Sequence, residues 1–180
     1  LGRQYSPMHN LLVAYGLGGG LAFGNASSAY SYSTATTLRI DNSLLYVSPS
    51  VGGLVLKAMV SPGEGTTGRA WSASIAYDRG PLSVSGALYQ ADAPRGTPGT
   101  AATNPNDTLK IAALGGSYDV GVAKLAAMMQ STRNDHGAPA FRLDQRFYEL
   151  AALIPVTSRG VLLVDYGWLK NDAIGQADSK

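Results

Sequence analysis

Cysteine is absent from the 180 residues, which removes disulfide frameworks and thiolate metal sites and leaves the redox compartment unread. Charge is scarce: Asp, Glu, Lys and Arg make up 14% of the chain against 45% hydrophobic residues, with a formal net charge of +2. The basic residues stand singly, without the stripe of cations and interleaved aromatics that a nucleic-acid surface needs. Long apolar runs are missing too. The most apolar segment, residues 150–169, is interrupted by Pro155, Ser158 and Arg159 and falls short of the roughly 18 apolar residues of a membrane helix. A helical span is excluded and a β-barrel span is left open. The sequence opens at Leu1 inside a strand-like segment, with no initiator Met, basic n-region or apolar h-region. It therefore reads as a piece of a longer protein, with a signal peptide expected upstream.

The largest local absence is inside the chain. From Gln4 to Leu38 there is no Asp, Glu, Lys or Arg, only a stretch rich in Gly, Ser, Ala and Tyr that contains Gly18-Gly19-Gly20. Hairpin loops usually take two to five residues, so this insert is far too long for a turn. An exposed loop is normally studded with charge. Residues 6–36 are therefore expected to fold inward, as a constriction loop against the inner wall of a barrel.

What is present is β patterning. Twenty-two glycines and nine prolines suit many short strands and tight turns. Leu38, Ile40, Asn42, Leu44 and Tyr46 alternate with Arg39, Asp41, Ser43, Leu45 and Val47, a period of two with unlike faces. The same alternation runs through residues 54–60, 71–77, 82–89, 123–130, 147–154 and 162–168. In residues 110–119 it is less regular, and Gly115-Gly116 marks a candidate bulge. Nine strands are counted, including the stub at residues 1–5. Their connections alternate: long at 6–36, 62–69, 91–107 and 134–145, short at 48–53, 78–81, 119–121 and 155–160. An antiparallel up-and-down meander gives this pattern when its long loops leave from one rim and its tight turns from the other, as in an outer-membrane barrel. Tyr46, Tyr77 and Tyr118 lie just before short turns, and Trp71, Tyr148, Tyr166 and Trp168 lie toward the long loops. Two interfacial girdles would look like this.

Several stretches, LGRQYSP at 1–7, LRIDNSLLYVSPSVGGL at 38–54, SIAYDRGPLSVSGALYQ at 74–90, GGSYDVGVAKLAAMMQ at 115–130 and YELAALIPVTSRG at 148–160, resemble the Gram-negative porin family of trimeric general-diffusion channels. The resemblance implies an all-β, transmembrane antiparallel barrel of sixteen strands, of which strands five to thirteen are present. Residues 6–36 become the third loop, which narrows the lumen. It also implies a homotrimer, a surround of outer-membrane lipid and lipopolysaccharide, and small hydrophilic solutes and ions as cargo. The family's loop commonly carries acidic residues and this one has none, which puts a cation-selective eyelet in doubt. A nine-stranded piece leaves two raw strand edges, which lipid does not tolerate, so more strands are expected beyond these 180 residues.

Lumen-facing candidates follow from the alternation. Arg3, Arg39 and Lys57 flank the insert on consecutive strands, Asp41 is placed on the face of Arg39, and Lys124, Glu149, Asp165 and Asp78 join the lumenal set. Fixed cations in a wide pore concentrate anions until salt screens them, so mild anion preference is expected. The alternative for Arg39 and Asp41 is that they pair with each other to stiffen the wall. Catalysis has little support: His9 and His136 are the only histidines, and no nucleophile-elbow, metal-ligand or phosphate-loop spacing is present. No cofactor or metal is expected, and the Asn25-Ala26-Ser27 sequon reads as accidental. The rival architecture is a soluble or surface-attached β-sandwich binding a ligand through its long loops, with its apolar strand faces turned into a core.

Overall fold

The computed structural model describes residues 2–16, 39–63, 68–92, 108–134, 143–157 and 159–171. They form one nine-stranded sheet whose strands lie in chain order: β1 (Gly2–Tyr5), β2 (Arg39–Val47), β3 (Leu54–Ser61), β4 (Ala70–Arg79), β5 (Leu82–Asp92), β6 (Thr108–Asp119), β7 (Lys124–Asn134), β8 (Leu143–Thr157) and β9 (Gly160–Asn171). Every neighbouring pair is antiparallel. From β2 to β9 the strands run from 8 to 15 residues, enough for a tilted crossing of a bilayer core about 30 Å thick. The short turns are built by local chemistry. Gly53 has φ 92°, and a Cβ there would meet the Asp78 carbonyl oxygen, so this turn tolerates glycine alone.

One face of the sheet is apolar and uncovered. Leu44, Leu56, Val60, Ile75, Leu88, Leu114, Met129, Leu150 and Tyr166 are all exposed on it, and cross-strand pairs such as Leu56↔Ile75, Leu114↔Met129 and Leu150↔Tyr166 keep it continuous. Among the described residues nothing packs against this face. A sandwich would bury it under a second sheet, so that expectation is not met. A lipid-facing wall requires this exposure.

The opposite face holds the core. Met59, Tyr89, Ile111, Met128 and Phe147 are buried there together with Ser72, Gln130, Thr132 and Glu149. Part of the cover is a helix that alternation had not signalled, α1 (Pro7–Tyr15). Ser6 caps it, its Oγ accepting from His9 N–H at 3.0 Å, and Pro7 stands in the first turn, where its missing donor costs nothing. Met8, Leu11, Leu12 and Tyr15 form the buried stripe at the i, i+3, i+4, i+7 spacing of a one-sided helix. The helix packs across β3 to β7. Two side-chain bonds tie it down: Met8 N–H donates to Ser72 Oγ at 3.1 Å, and the Tyr15 and Ser83 hydroxyls share a bond of 2.7 Å.

Two local expectations change. Gly115-Gly116 is not a bulge, because the register runs on unbroken through Ser85↔Gly115 and Val84↔Gly116. A Cβ on Gly115 would lie 2.5 Å from Tyr15 Cδ2, so the glycine is a seat for the helix tyrosine. Irregularities lie instead between Pro155 and Thr157 at the end of β8 and in β2, where Asn42 adopts φ 52° and the β1–β2 register shifts. Ile40 is consequently 7% exposed and lies apart from Leu44 at 54% and Tyr46 at 61%, with which strict alternation had grouped it.

Candidate pore wall and constriction

The inner face of the sheet and the helix laid over it form the candidate site. At the root of α1 three side chains stack: the Tyr5 and His9 rings are 4.9 Å apart between centroids, and the Arg39 guanidinium carbon lies 4.7 Å from the centre of the Tyr5 ring. Arg39 also donates to the Tyr5 hydroxyl at 2.7 Å. A guanidinium held on an aromatic face and a phenol oxygen keeps its charge while losing rotamer freedom, so Arg39 is a positioned cation at the mouth of the insert. His9 is held below its ordinary value of 6.5 by burial and by the Arg39 charge, because both favour the neutral imidazole. The carboxyl-free insert gives this cation no acidic neighbour in sequence between Gln4 and Leu38.

Asp41 pairs with Arg3, Nε to Oδ1 at 3.3 Å, both side chains being well over half exposed. Arg39 bonds Tyr5, so the two residues offered as partners in the sequence have separate ones. An ion pair this exposed contributes about 0–1 kcal/mol; it defines position more than stability. Arg39 and Asp41 stay exposed on either side of buried Ile40, and each meets a side chain of the neighbouring strand β1, Tyr5 and Arg3, rather than the other.

The remaining candidates are spread along the inner face. Lys57 lies opposite Ser74 and two residues from buried Met59. Glu149 is 2% exposed, between Met128 on β7 and Gly167 on β9. Asp165 is exposed and opposite Ala151. Lys124 lies opposite Asp119 at the short-turn end, and together with Asp78, Ser83 and Ser117 they line a cavity of about 400 Å³. Of the seven residues, the structure brings Arg3 and Asp41 into contact. Sequence reading missed Tyr5, His9, Tyr15 and Gly115. The signal was present in Ser6-Pro7 followed by Met8, Leu11, Leu12 and Tyr15, a capped amphipathic turn inside a stretch otherwise read as loop. Residues 17–36 of the expected constriction loop lie outside the described residues.

The family model for "Gram-negative porin" matches residues 1–180. The chain belongs to the Gram-negative porin family. Outer membrane porin protein 32 of Delftia acidovorans is 30% identical over 196 residues, which takes in 100% of this chain and 52% of that protein. The solved anion-selective porin from Comamonas acidovorans superimposes with TM-score 0.74 at 26% identity, over 97% of this chain and 54% of that one. OmpT of Vibrio cholerae in its trimer form gives TM-score 0.75 over 98% of this chain and 56% of that one, at 18% identity, a likeness of fold. This porin chain thus spans about half the length of the relatives it matches. It is an outer-membrane β-barrel chain, and the porin family is not enzymatic.

Proposed function

We propose that the complete protein is a passive outer-membrane pore for small hydrophilic solutes and ions, with a mild preference for anions, working as a homotrimer. One observation carries the pore reading: the sheet leaves one face apolar and uncovered while a capped helix lies across the other. In lipid the first face is solvated by acyl chains and the second lines water narrowed by α1. Anion preference is supported by the acid-free insert and by the cation fixed at its root on Tyr5. The name of the Comamonas relative, an anion-selective porin, points the same way, and the trimer form of the Vibrio one accords with the homotrimer. Charge selection then falls to the wall, with Arg39 and Arg3 first and Lys57 and Lys124 along it, balanced by Asp41, Glu149 and Asp165.

The test is full-length protein in a planar bilayer under a salt gradient. Stepwise conductance with a reversal potential displaced toward that of the anion is expected. Arg39→Ala should move the potential toward neutrality by more than Arg3→Ala, whose charge is already matched by Asp41. Water solubility without detergent and no conductance would remove the pore reading; an unmoved potential in both variants would remove the two arginines from the filter.

A further inference from the structure

In three places opposite charges that meet are paired: Arg3 with Asp41, Arg69 with Asp92 and Arg133 with Asp144. Between the β4–β5 and β6–β7 turns they are not. There Asp78, Arg79, Asp119 and Lys124, together with Ser83 and Ser117, line a cavity of about 400 Å³. Among the described residues none of these four charged side chains is in an ion pair.

Register builds the cavity on the inner face. Asp78 is opposite Ser83 and Ser83 opposite Ser117, while Asp119 is opposite Lys124. Asp78, Ser83, Asp119 and Lys124 are each an even number of residues from a buried position of their own strand, Ser72, Ser85, Ser117 and Met128 respectively. The walls are held by the backbone: Asp78 N–H donates to Gly53 C=O and Asp119 N–H to Pro81 C=O, both at 2.9 Å. Asp119 Oδ1 accepts from Gly121 N–H at 2.8 Å, which fixes its carboxylate. Ser83 Oγ bonds the Tyr15 hydroxyl, so the cavity adjoins the C-terminal end of α1, whose last carbonyls favour a positive charge.

Two acids and two bases make the lining neutral as a whole, so it concentrates neither anions nor cations. Opposite charges held apart around a hollow are satisfied together by a guest that carries both signs. Directly opposed residues such as Asp119 and Lys124 have Cβ atoms about 5 Å apart, which suits an ammonium and a carboxylate on one carbon better than the distant ends of a peptide. Pro81 and Leu82 also line the cavity and give an apolar side chain a surface. A neutral sugar would leave all four charges without ionic partners, and the Tyr15 ring is seated on Gly115 rather than open for stacking.

We propose that this cavity is a subsite for zwitterionic α-amino acids, with Asp119 and Asp78 taking the ammonium, Lys124 and Arg79 the carboxylate, and Ser83 and Ser117 the remaining hydrogen bonds. It rests on the pore reading above, which brings solute to this face, and adds a solute class to it. The wall's anion preference is set at Arg39 and Arg3, away from this neutral lining.

The test is a ligand-observed NMR titration of full-length protein in detergent with L-alanine and two analogues: N-acetyl-L-alanine, which has no ammonium, and L-alaninamide, which has no carboxylate. L-Alanine should bind, and each analogue should bind at least tenfold more weakly, roughly the worth of one charge-assisted bond. Asp119→Asn, whose amide oxygen can still accept from Gly121, and Lys124→Gln should each weaken L-alanine at least tenfold. An affinity matched by either analogue or by D-glucose, an affinity unchanged in either variant, or no binding of L-alanine would each overturn the site. Bilayer conductance separates the two readings. A wild type that binds L-alanine without conducting would contradict the pore and leave the site standing; one that conducts without binding L-alanine would do the reverse.

Discussion

Gly115 is the residue at which the sheet and the helix depend on each other most closely. Any side chain there enters the ring of Tyr15, and a packed core answers added volume by displacement rather than compression. Gly115→Val is expected to lift α1 from β5 and β6, cost about 1–3 kcal/mol, and open the constriction; higher single-channel conductance with faster proteolysis within residues 7–15 would be the readout. His9 offers a second measurement. Its folded pKa is lowered, chiefly by burial and then by Arg39, so the docked helix resists the proton that the undocked one accepts near 6.5. Stability of docking is therefore present in full above pH 6.5 and is lost as pH falls through the lowered folded value. Protection of the α1 amides, corrected for the pH dependence of intrinsic exchange, should fall below pH 6.5 and be unchanged between pH 7 and 9, and His9→Gln should flatten the profile.

At the scale of the element, α1 is nine residues long, too short to persist by itself in water. It holds because Ser6 closes its first turn, Gly16 N–H returns to Leu12 C=O at 2.9 Å, and Met8, Leu11, Leu12 and Tyr15 are buried on the sheet. Ser6→Ala removes the Oγ that accepts from His9 N–H and should cost about 1 kcal/mol, seen as greater current noise from a helix that undocks more often, with the barrel's own melting little changed. The strands draw on different physics. Their stability lies in cross-strand ladders, and β2 tolerates its bulge because Asn42 is among the few side chains at ease with positive φ. Asn42→Val should destabilise the β1–β2 pairing by about 1–3 kcal/mol, while Asn42→Gly should be close to neutral.

For the whole molecule, the two faces set the solvent each must meet. Leu150 lies midway along β8 on the uncovered face, 53% exposed, where a water-soluble protein would accept Arg with little effect. In a bilayer, Leu150→Arg should cost about 2–4 kcal/mol, measured as impaired folding into lipid vesicles. An equal cost in detergent and in lipid would count against a membrane-facing wall.

How much of this was legible beforehand differs by element. The strands were readable because a period of two and a tight turn are local properties: Leu54 to Val60 or Leu82 to Leu88 declare two faces without reference to a neighbour. The helix was hidden because its cap and stripe sit in a glycine- and serine-rich stretch whose composition reads as loop. The pairing of Asp41 with Arg3 was hidden because it depends on the register between β1 and β2, which are joined across a long insert and whose register shifts between Gly2 and Gln4, so it is not written in either strand's own alternation.

The sequence by itself therefore determined a meander of antiparallel strands with one apolar face, long and short connections at opposite rims, and a long insert without acids, since each is written in neighbouring residues. Only the tertiary structure decided that Tyr15 sits on Gly115, that Arg39 rests on Tyr5, and that Asp78, Asp119 and Lys124 surround one hollow. Those contacts depend on register between strands. A strand's own alternation is unchanged when it slides by two residues, so register has to be settled by turns, bulges and packing across the sheet.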